Sequence, residues 1–333
     1  MLAILVSIPV GVSLATLGRK RGMDLSPLLA LFPYVFWPSL SPMLALSTAF
    51  VAGVATILNN CSGDPCDRPL AYPLLGDTLL FVASLALYVH TLAPTILPAD
   101  SGEFQFVAYV LGIAHPPGYP LYTMLAKLCT YLPFGDIAHR VNLFSAFTSA
   151  LTLVVLSRAV KRATGSSTAG WIAAAVLGVS PTFWAQSTTA NIRSLTALFT
   201  ALQLAALVAY TRSKNPRYLL GLAIALGLGI THHGSTALLI LPYAAFVLAS
   251  APELVRKPRL LLQPLLAFSL SFLPLLYLPL RSAMGAPFDP QPIRSLSGFL
   301  DHVLARGFRS DMFYFLQPQV LPERLAVWWN ILA

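Results

Sequence analysis

Pro94–Tyr122 reads PTILPADSGEFQFVAYVLGIAHPPGYPLY, and the rest of the chain is organised around it. The stretch follows a long apolar run and carries Asp100 and Glu103, two of only twelve acidic residues in 333. His115 and a stiff turn, Pro116-Pro117-Gly118-Tyr119-Pro120, come next. Two acids, a histidine and fixed backbone just outside an apolar segment are the materials of a reaction centre on the aqueous side of a membrane. The same residues also suit a structural role. With Asp100 as N-cap and Glu103 at the third helical position, Asp100-Ser101-Gly102-Glu103 reads as a capping box. Phe104, Val107, Ala108 and Leu111 then recur at helical spacing. The two roles are compatible, because a capped helix start holds a carboxylate rigidly.

Composition sets the class. The chain is 56% hydrophobic and 10% charged, with a mean hydropathy of +0.72, far from soluble globular usage. Apolar spans fall at 2–18, 26–39, 42–58, 72–94, 141–157, 168–185, 193–211, 217–231, 235–250 and 260–280, and an eleventh starts near 321. This pattern predicts an all-α polytopic bundle of about ten or eleven spans. The net charge of +9 would suit nucleic acid, but the positions of the charges favour membrane topology and no nucleic-acid partner. Arg19-Lys20-Arg21, Arg68, Arg158/Lys161/Arg162, Arg212/Lys214/Arg217 and Arg256/Lys257/Arg259 all fall on one side of such a bundle. The positive-inside rule makes that side the cytoplasm. The loops at 95–140 and 281–320 then share the opposite, extracytoplasmic face.

Residues 1–70 form an additional group of hydrophobic helices. The first has no basic residues ahead of its apolar core and reads as an anchor rather than a signal peptide. The segments 26–39 and 42–58, broken by Pro33, Pro38 and Pro42, also suit a re-entrant hairpin. Residues 71–333 are the core. Within the first external loop, 102–113 and 118–133 predict two helices lying in the interface or folded against the bundle, with the Pro-Pro-Gly break between them and His115 closing the first. Cys61 and Cys66 fall on the cytoplasmic side and Cys129 in an apolar helix, and no spacing suggests a metal site or disulfide. No cofactor is expected.

Other polar residues at external ends complete the candidate site. Trp184 is placed as an interfacial anchor. Arg193 sits against the charge bias and either binds an anion or snorkels to headgroups. His232 and His233 end a span, and as neighbours they point to different helix faces. They suit substrate hydrogen bonding or interface packing better than a shared metal. Arg281 leaves an apolar helix in Leu278-Pro279-Leu280-Arg281, where it could hold a phosphate through two bonds or rest among lipid headgroups. The Pro-rich loop beyond it carries Asp289, Arg294, Asp301, His302, Arg306, Arg309 and Asp311.

These residues, in this order, resemble a known family. Asp100-Ser101-Gly102-Glu103, then His115-Pro116-Pro117-Gly118-Tyr119-Pro120, then Phe183-Trp184 with Leu195-Thr196-Ala197-Leu198-Phe199, then His232-His233, then Pro279-Leu280-Arg281 are similar to the transmembrane protein 260-like O-mannosyltransferases over about residues 72–320. The plan also resembles the wider GT-C class of integral-membrane glycosyltransferases. The resemblance implies transfer of a sugar, mannose, from a polyprenyl-phosphate carrier to a hydroxyl of a protein Ser or Thr, or of a lipid, on the extracytoplasmic face. It sets the chain in the plasma membrane of a bacterium ahead of the endoplasmic reticulum, among membrane lipids. It implies Asp100 as base or acceptor-positioning group with Glu103 beside it, while the residues themselves suggest His115, Tyr119, Arg193, His232, His233, Arg281 and Asp289 as substrate-binding. Where the family has a Glu-Val-Tyr-like triplet, this chain has Asn191-Ile192-Arg193, without the acid and the aromatic. The resemblance also implies further helices beyond Ala333. A transporter or lipid-linked-sugar flippase would share the broken helices but would place charges near the midplane. An inactive scaffold is the third reading.

Overall fold

The computed structural model describes residues 71–308 and 317–332. The expectations for residues 1–70, Arg309 and Asp311 lie outside the described residues. Among those described, the secondary structure is helical throughout, and the chain is an all-α membrane bundle.

Helix α1 covers Ala71–His90. The external loop follows, holding α2 (Asp100–Val110) and α3 (Pro120–Cys129) as the Pro-Pro-Gly break predicts. The long α4 (Ile137–Thr164) begins where the Asp136 carboxylate accepts the His139 backbone N–H at 2.6 Å, and it ends at Gly165 in the left-handed conformation. Ser166 caps α5 (Ser167–Val179), α6 spans Pro181–Ser187, and α7 spans Arg193–Ser213. Asn215 caps α8 (Pro216–His232), and α9 (Ile240–Ser250) follows a single 3₁₀ stretch. The short α10 (Glu253–Arg256) leads to α11 (Leu262–Leu270) and α12 (Tyr277–Ala283), which run together as one helical rod over Pro258–Ala283. Helices α13 (Leu296–Val303) and α14 (Leu321–Leu332) come last.

Among the described residues, three helices are long and apolar enough to cross a membrane: Ile137–Thr164, Arg193–Ser213 and Pro258–Ala283. The expected span at 168–185 is broken instead. Ser180 is extended and Pro181 cannot supply the N–H that would continue α5, so α5 and α6 meet at 72°. Counted as one broken span, this pair makes a fourth. Helix polarity puts the basic ends of α4 and α7 and the basic start of α8 together, away from the external loop. There Arg158 pairs with Asp77 of α1 at 2.6 Å.

Close backbone contact locks α5 onto α4. A Cβ on Gly170 would lie 2.5 Å from the Ser157 carbonyl oxygen, and one on Gly178 would lie 2.8 Å from Leu153 Cδ1. Against the Ser157 backbone only glycine permits this approach, whereas at Gly178 the neighbour is a leucine side chain. The external helices are not afloat in the interface. Phe104 and Val107 of α2 and Tyr122 of α3 are buried against Val141 and Phe144 of α4 and Leu195 and Phe199 of α7. Removing each such side chain from water contributes about 1.5–3 kcal/mol, so α2 and α3 are fixed parts of the bundle.

Candidate active site

The start of α2 departs from the capping box. Ala99, not Asp100, occupies the N-cap position, with φ 58° and ψ −145°, and no side chain caps the helix. Such a conformation in a non-glycine residue costs about 1–3 kcal/mol and persists only when its surroundings impose it. Here the Ala99 carbonyl accepts from the Gly102 and Glu103 N–H groups. Asp100 becomes the first helical residue, exposed, with its carboxylate free of the cap. Glu103 does not reach back to the helix start. It reaches forward twelve residues, Oε1 accepting the His115 backbone N–H at 2.7 Å and Oε2 meeting His115 Nδ1 at 2.5 Å. The helix also ends earlier than expected, at Val110, so His115 lies in the loop and not on the last turn.

This pairing governs the charges. Half-burial pushes the Glu103 carboxyl up, but the ring and backbone N–H groups of His115 outweigh it and hold the group below its ordinary value. The bond from Glu103 raises His115 against its own desolvation, with Asp100 adding to the effect. Asp100, Glu103 and His115 each bring one ligand atom to within 4.8 Å of the others. Such a mixed oxygen and imidazole set suits a hard divalent cation, although Glu103 and His115 already satisfy each other. The sequence placed these three residues in one reaction centre, but their spacing suggested no metal site.

Tyr119 occupies the left-handed region at φ 43° and opens α3. Its ring meets Phe104 edge-on at 5.4 Å, meets His115 at 5.5 Å and stacks on His233 at 6.2 Å. Burial raises its phenol to about 12, and the nearby Asp100 and Glu103 charges reinforce this. The two histidines diverge as adjacent residues should. His232 is wholly buried, its Nε2 2.9 Å from the Ile192 carbonyl, while His233 Nδ1 contacts Ser235 Oγ at 2.7 Å. Burial lowers His233, and Arg193 lowers it further.

A cleft of about 780 Å³ joins these groups. Asp100, Ser101, Tyr119, Gln186, Arg193 and His233 line its external end. Leu156 of α4, Leu177 of α5 and Thr200 and Leu204 of α7 line the rest. From Arg193 to Leu204 it follows α7 for about 16 Å at 1.5 Å per residue. One guanidinium nitrogen of Arg193 donates to Gln186 Oε1 at 3.3 Å.

Arg281 and Asp289 are not brought to this cleft. Arg281 Nε donates to the Leu111 carbonyl at 2.8 Å, placing a cation at the C-terminal end of α2, where the helix dipole favours one. Asp289 accepts from Ser282 Oγ at 2.6 Å. With Tyr277 Oη donating to the Gly112 carbonyl at 2.8 Å, they hold the loop behind the turn. Trp184 is half-buried, its Nε1 donating to Thr91 Oγ1 at 3.0 Å. Asn191 replaces the family's acid with a cap: its Oδ1 accepts the Arg193 and Ser194 N–H groups and so orients the start of α7.

Sequence reasoning missed Asn142. It is fully buried on α4 and joins three segments. Its Oδ1 accepts from Gln105 Nε2 and from the Ala190 N–H, both at 2.8 Å, and its Nδ2 donates to the Ala93 carbonyl at 2.9 Å. These bonds fix the Asp100 helix relative to the loop that carries Arg193. The available signal was an amide in a long apolar run, where an unpartnered polar group is costly.

A family described as the protein O-mannosyl-transferase TMEM260 N-terminal domain matches residues 100–255. The protein O-mannosyl-transferase TMEM260 of Mus musculus is 37% identical over 238 residues, covering 69% of this chain and 34% of the relative. Its namesake in Dictyostelium discoideum is 25% identical over 186 residues, covering 51% of this chain and 23% of the relative. The chain therefore spans about a third or less of the length of these curated relatives. No solved structure matches it. Over residues 100–255, which carry Asp100, Glu103, His115, Arg193 and His233, the chain belongs to the TMEM260-like family.

Proposed function

We propose that this chain carries the catalytic part of a GT-C-type glycosyltransferase. It moves mannose from a polyprenyl-phosphate carrier to the hydroxyl of a protein Ser or Thr on the extracytoplasmic face. The observation that carries the reading is the single cleft, ionic at its external end and apolar along α4, α5 and α7. A lipid-linked sugar has the same two halves. Its phosphate meets Arg193 and its prenyl chain follows Leu156, Leu177 and Leu204. The O-mannosyl-transferase names of the relatives support the choice of sugar and acceptor. The basic helix ends opposite the cleft support the choice of face.

Asp100 takes the acceptor proton as the hydroxyl oxygen bonds to the anomeric carbon. The carbon–oxygen bond to the carrier breaks, and its electron pair leaves with the phosphate, where Arg193 offsets the charge. Direct displacement inverts the centre, so a β-linked carrier gives an α-linked product. Glu103 and His115 hold the start of α2 and do not themselves take the proton. Membranes containing the protein, given labelled polyprenyl-phosphate mannose and a Ser/Thr peptide, should yield α-mannosyl peptide. Sugar that crosses the membrane without reaching any hydroxyl would instead support a flippase.

A further inference from the structure

At the end of the bundle opposite the cleft, α4, α7 and α8 part around a second hollow of about 440 Å³. Small apolar residues wall it, among them Ala205, Ala206 and Ala209 of α7 and Gly221 and Ala225 of α8. Phe199 and Leu228 lie at its inner end. From Ala209 to Phe199 it follows α7 for about 15 Å at 1.5 Å per residue. Arg158 and Arg162 line its mouth, one turn apart on the same face of α4.

These arginines are incompletely engaged. Arg158 gives its Nε to Asp77 at 2.6 Å, and among the described residues its terminal nitrogens have no hydrogen-bond partner. Arg162 lies over the Tyr218 ring at 5.1 Å and makes no hydrogen bond among the described residues. Neighbouring Arg212 gives one terminal nitrogen to the Ala163 carbonyl and does not line the hollow.

The walls decide what the hollow accepts. They offer water no partners, and a peptide would bring backbone groups with nothing to bond. An acyl chain needs neither. Arginines between helices at a membrane surface recruit anionic headgroups, and a guanidinium fork matches a phosphate. We propose that this hollow binds an anionic phospholipid, one acyl chain lying along α7 and α8 and the phosphate lying against Arg158 and Arg162.

Two substitutions test the two halves separately. Arg162→Gln removes a headgroup contact and leaves the Arg158–Asp77 pair intact. Gly221→Leu fills the hollow: a Cβ at Gly221 meets nothing within 4 Å, and leucine favours the helix, so the fold is kept. The purified, delipidated chain is titrated with phosphatidylglycerol, with phosphatidylcholine of the same acyl chains, and with inorganic phosphate. The thermal midpoint and the lipid retained in the native mass spectrum are followed. Phosphatidylglycerol should raise the midpoint at concentrations at least tenfold below phosphatidylcholine, and inorganic phosphate should have no such effect. Each variant should fold with the parent midpoint; Arg162→Gln should weaken phosphatidylglycerol binding about fivefold, and Gly221→Leu, by excluding several methylenes, at least about tenfold. Equal response to the two lipids would overturn the proposal, as would undiminished binding in either variant. A response to inorganic phosphate equal to that for phosphatidylglycerol would also overturn it, because the apolar walls would then contribute nothing.

Discussion

Replacing Asn142 with leucine keeps the shape of the side chain and removes every polar contact it makes. Three groups lose a partner: the Gln105 amide, the Ala190 N–H and the Ala93 carbonyl. A buried group left unsatisfied costs about 1–3 kcal/mol. The two backbone groups lie in loops at the external end and relax toward water, so the low end applies to each. With the buried Gln105 amide left at the full range, the sum is about 3–5 kcal/mol, a large share of the roughly 5–15 kcal/mol that stabilises a domain. Denaturant unfolding in detergent reads this directly as a shift in midpoint at constant slope. The double variant with Gln105→Leu discriminates further. Removing both partners of the 2.8 Å bond leaves no unpaired side-chain amide, and the Leu97 N–H loses Gln105 Oε1 in the Gln105→Leu single and double variants alike, so the pair should be less damaging than the sum of its members by about 0.5–3 kcal/mol. Mannosyl transfer should fall in the single variant even where it remains folded, because α2 and the Arg193 loop lose their common tie. An Asn142→Leu protein within 0.5 kcal/mol of the parent, with full transfer, would refute the argument.

Asp100→Asn should leave stability within about 0.5 kcal/mol, since the carboxylate caps nothing, and should lower transfer about 10²- to 10⁴-fold; transfer at the parent rate would remove Asp100 as base. The Glu103–His115 pair should show in the pH dependence of stability. The depressed Glu103 adds stability above its ordinary 4.5 that disappears as pH falls through its lower folded value. The raised His115 adds stability that is complete below 6.5 and is lost as pH rises through its higher folded value. Thermal midpoints of Glu103→Gln should therefore depend less on pH both below 4.5 and above 6.5, and an unchanged profile would separate the two groups. Arg193→Lys should raise the KM for the lipid-linked sugar or lower kcat, because a point charge replaces a planar fork; Arg281→Lys should shift the thermal midpoint more than transfer, and the reverse pattern would return the phosphate to Arg281.

Apolar runs and proline breaks gave the helical class and the two external helices, because both are local signals. The contacts within the site were harder to read. A capping box is a local expectation, and it lost to a tertiary one: with Ala99 at positive φ, Glu103 points to His115, a partner set by the turn and not by helical spacing. Arg281 could be recognised as a cation at a helix end, but its target, the Leu111 carbonyl, depends on how the last external loop folds back. The break at Ser180-Pro181 was visible as a proline, yet an apolar run on both sides read as one span. Asn142 was hidden because an amide's worth depends on which three segments surround it.

The contact of α5 with α4 at Gly170, set against the Ser157 carbonyl, also settles the character of the cleft they help to wall. Its width is gauged by main chain against neighbouring helix, not by side chains that hop between rotamers. For the carrier proposed above, such a wall is a fixed caliper that would sort chains by thickness and hardly by length. Alanine at Gly170 would press on the Ser157 carbonyl, force the helices apart and reset the gauge without touching a single polar group of the site.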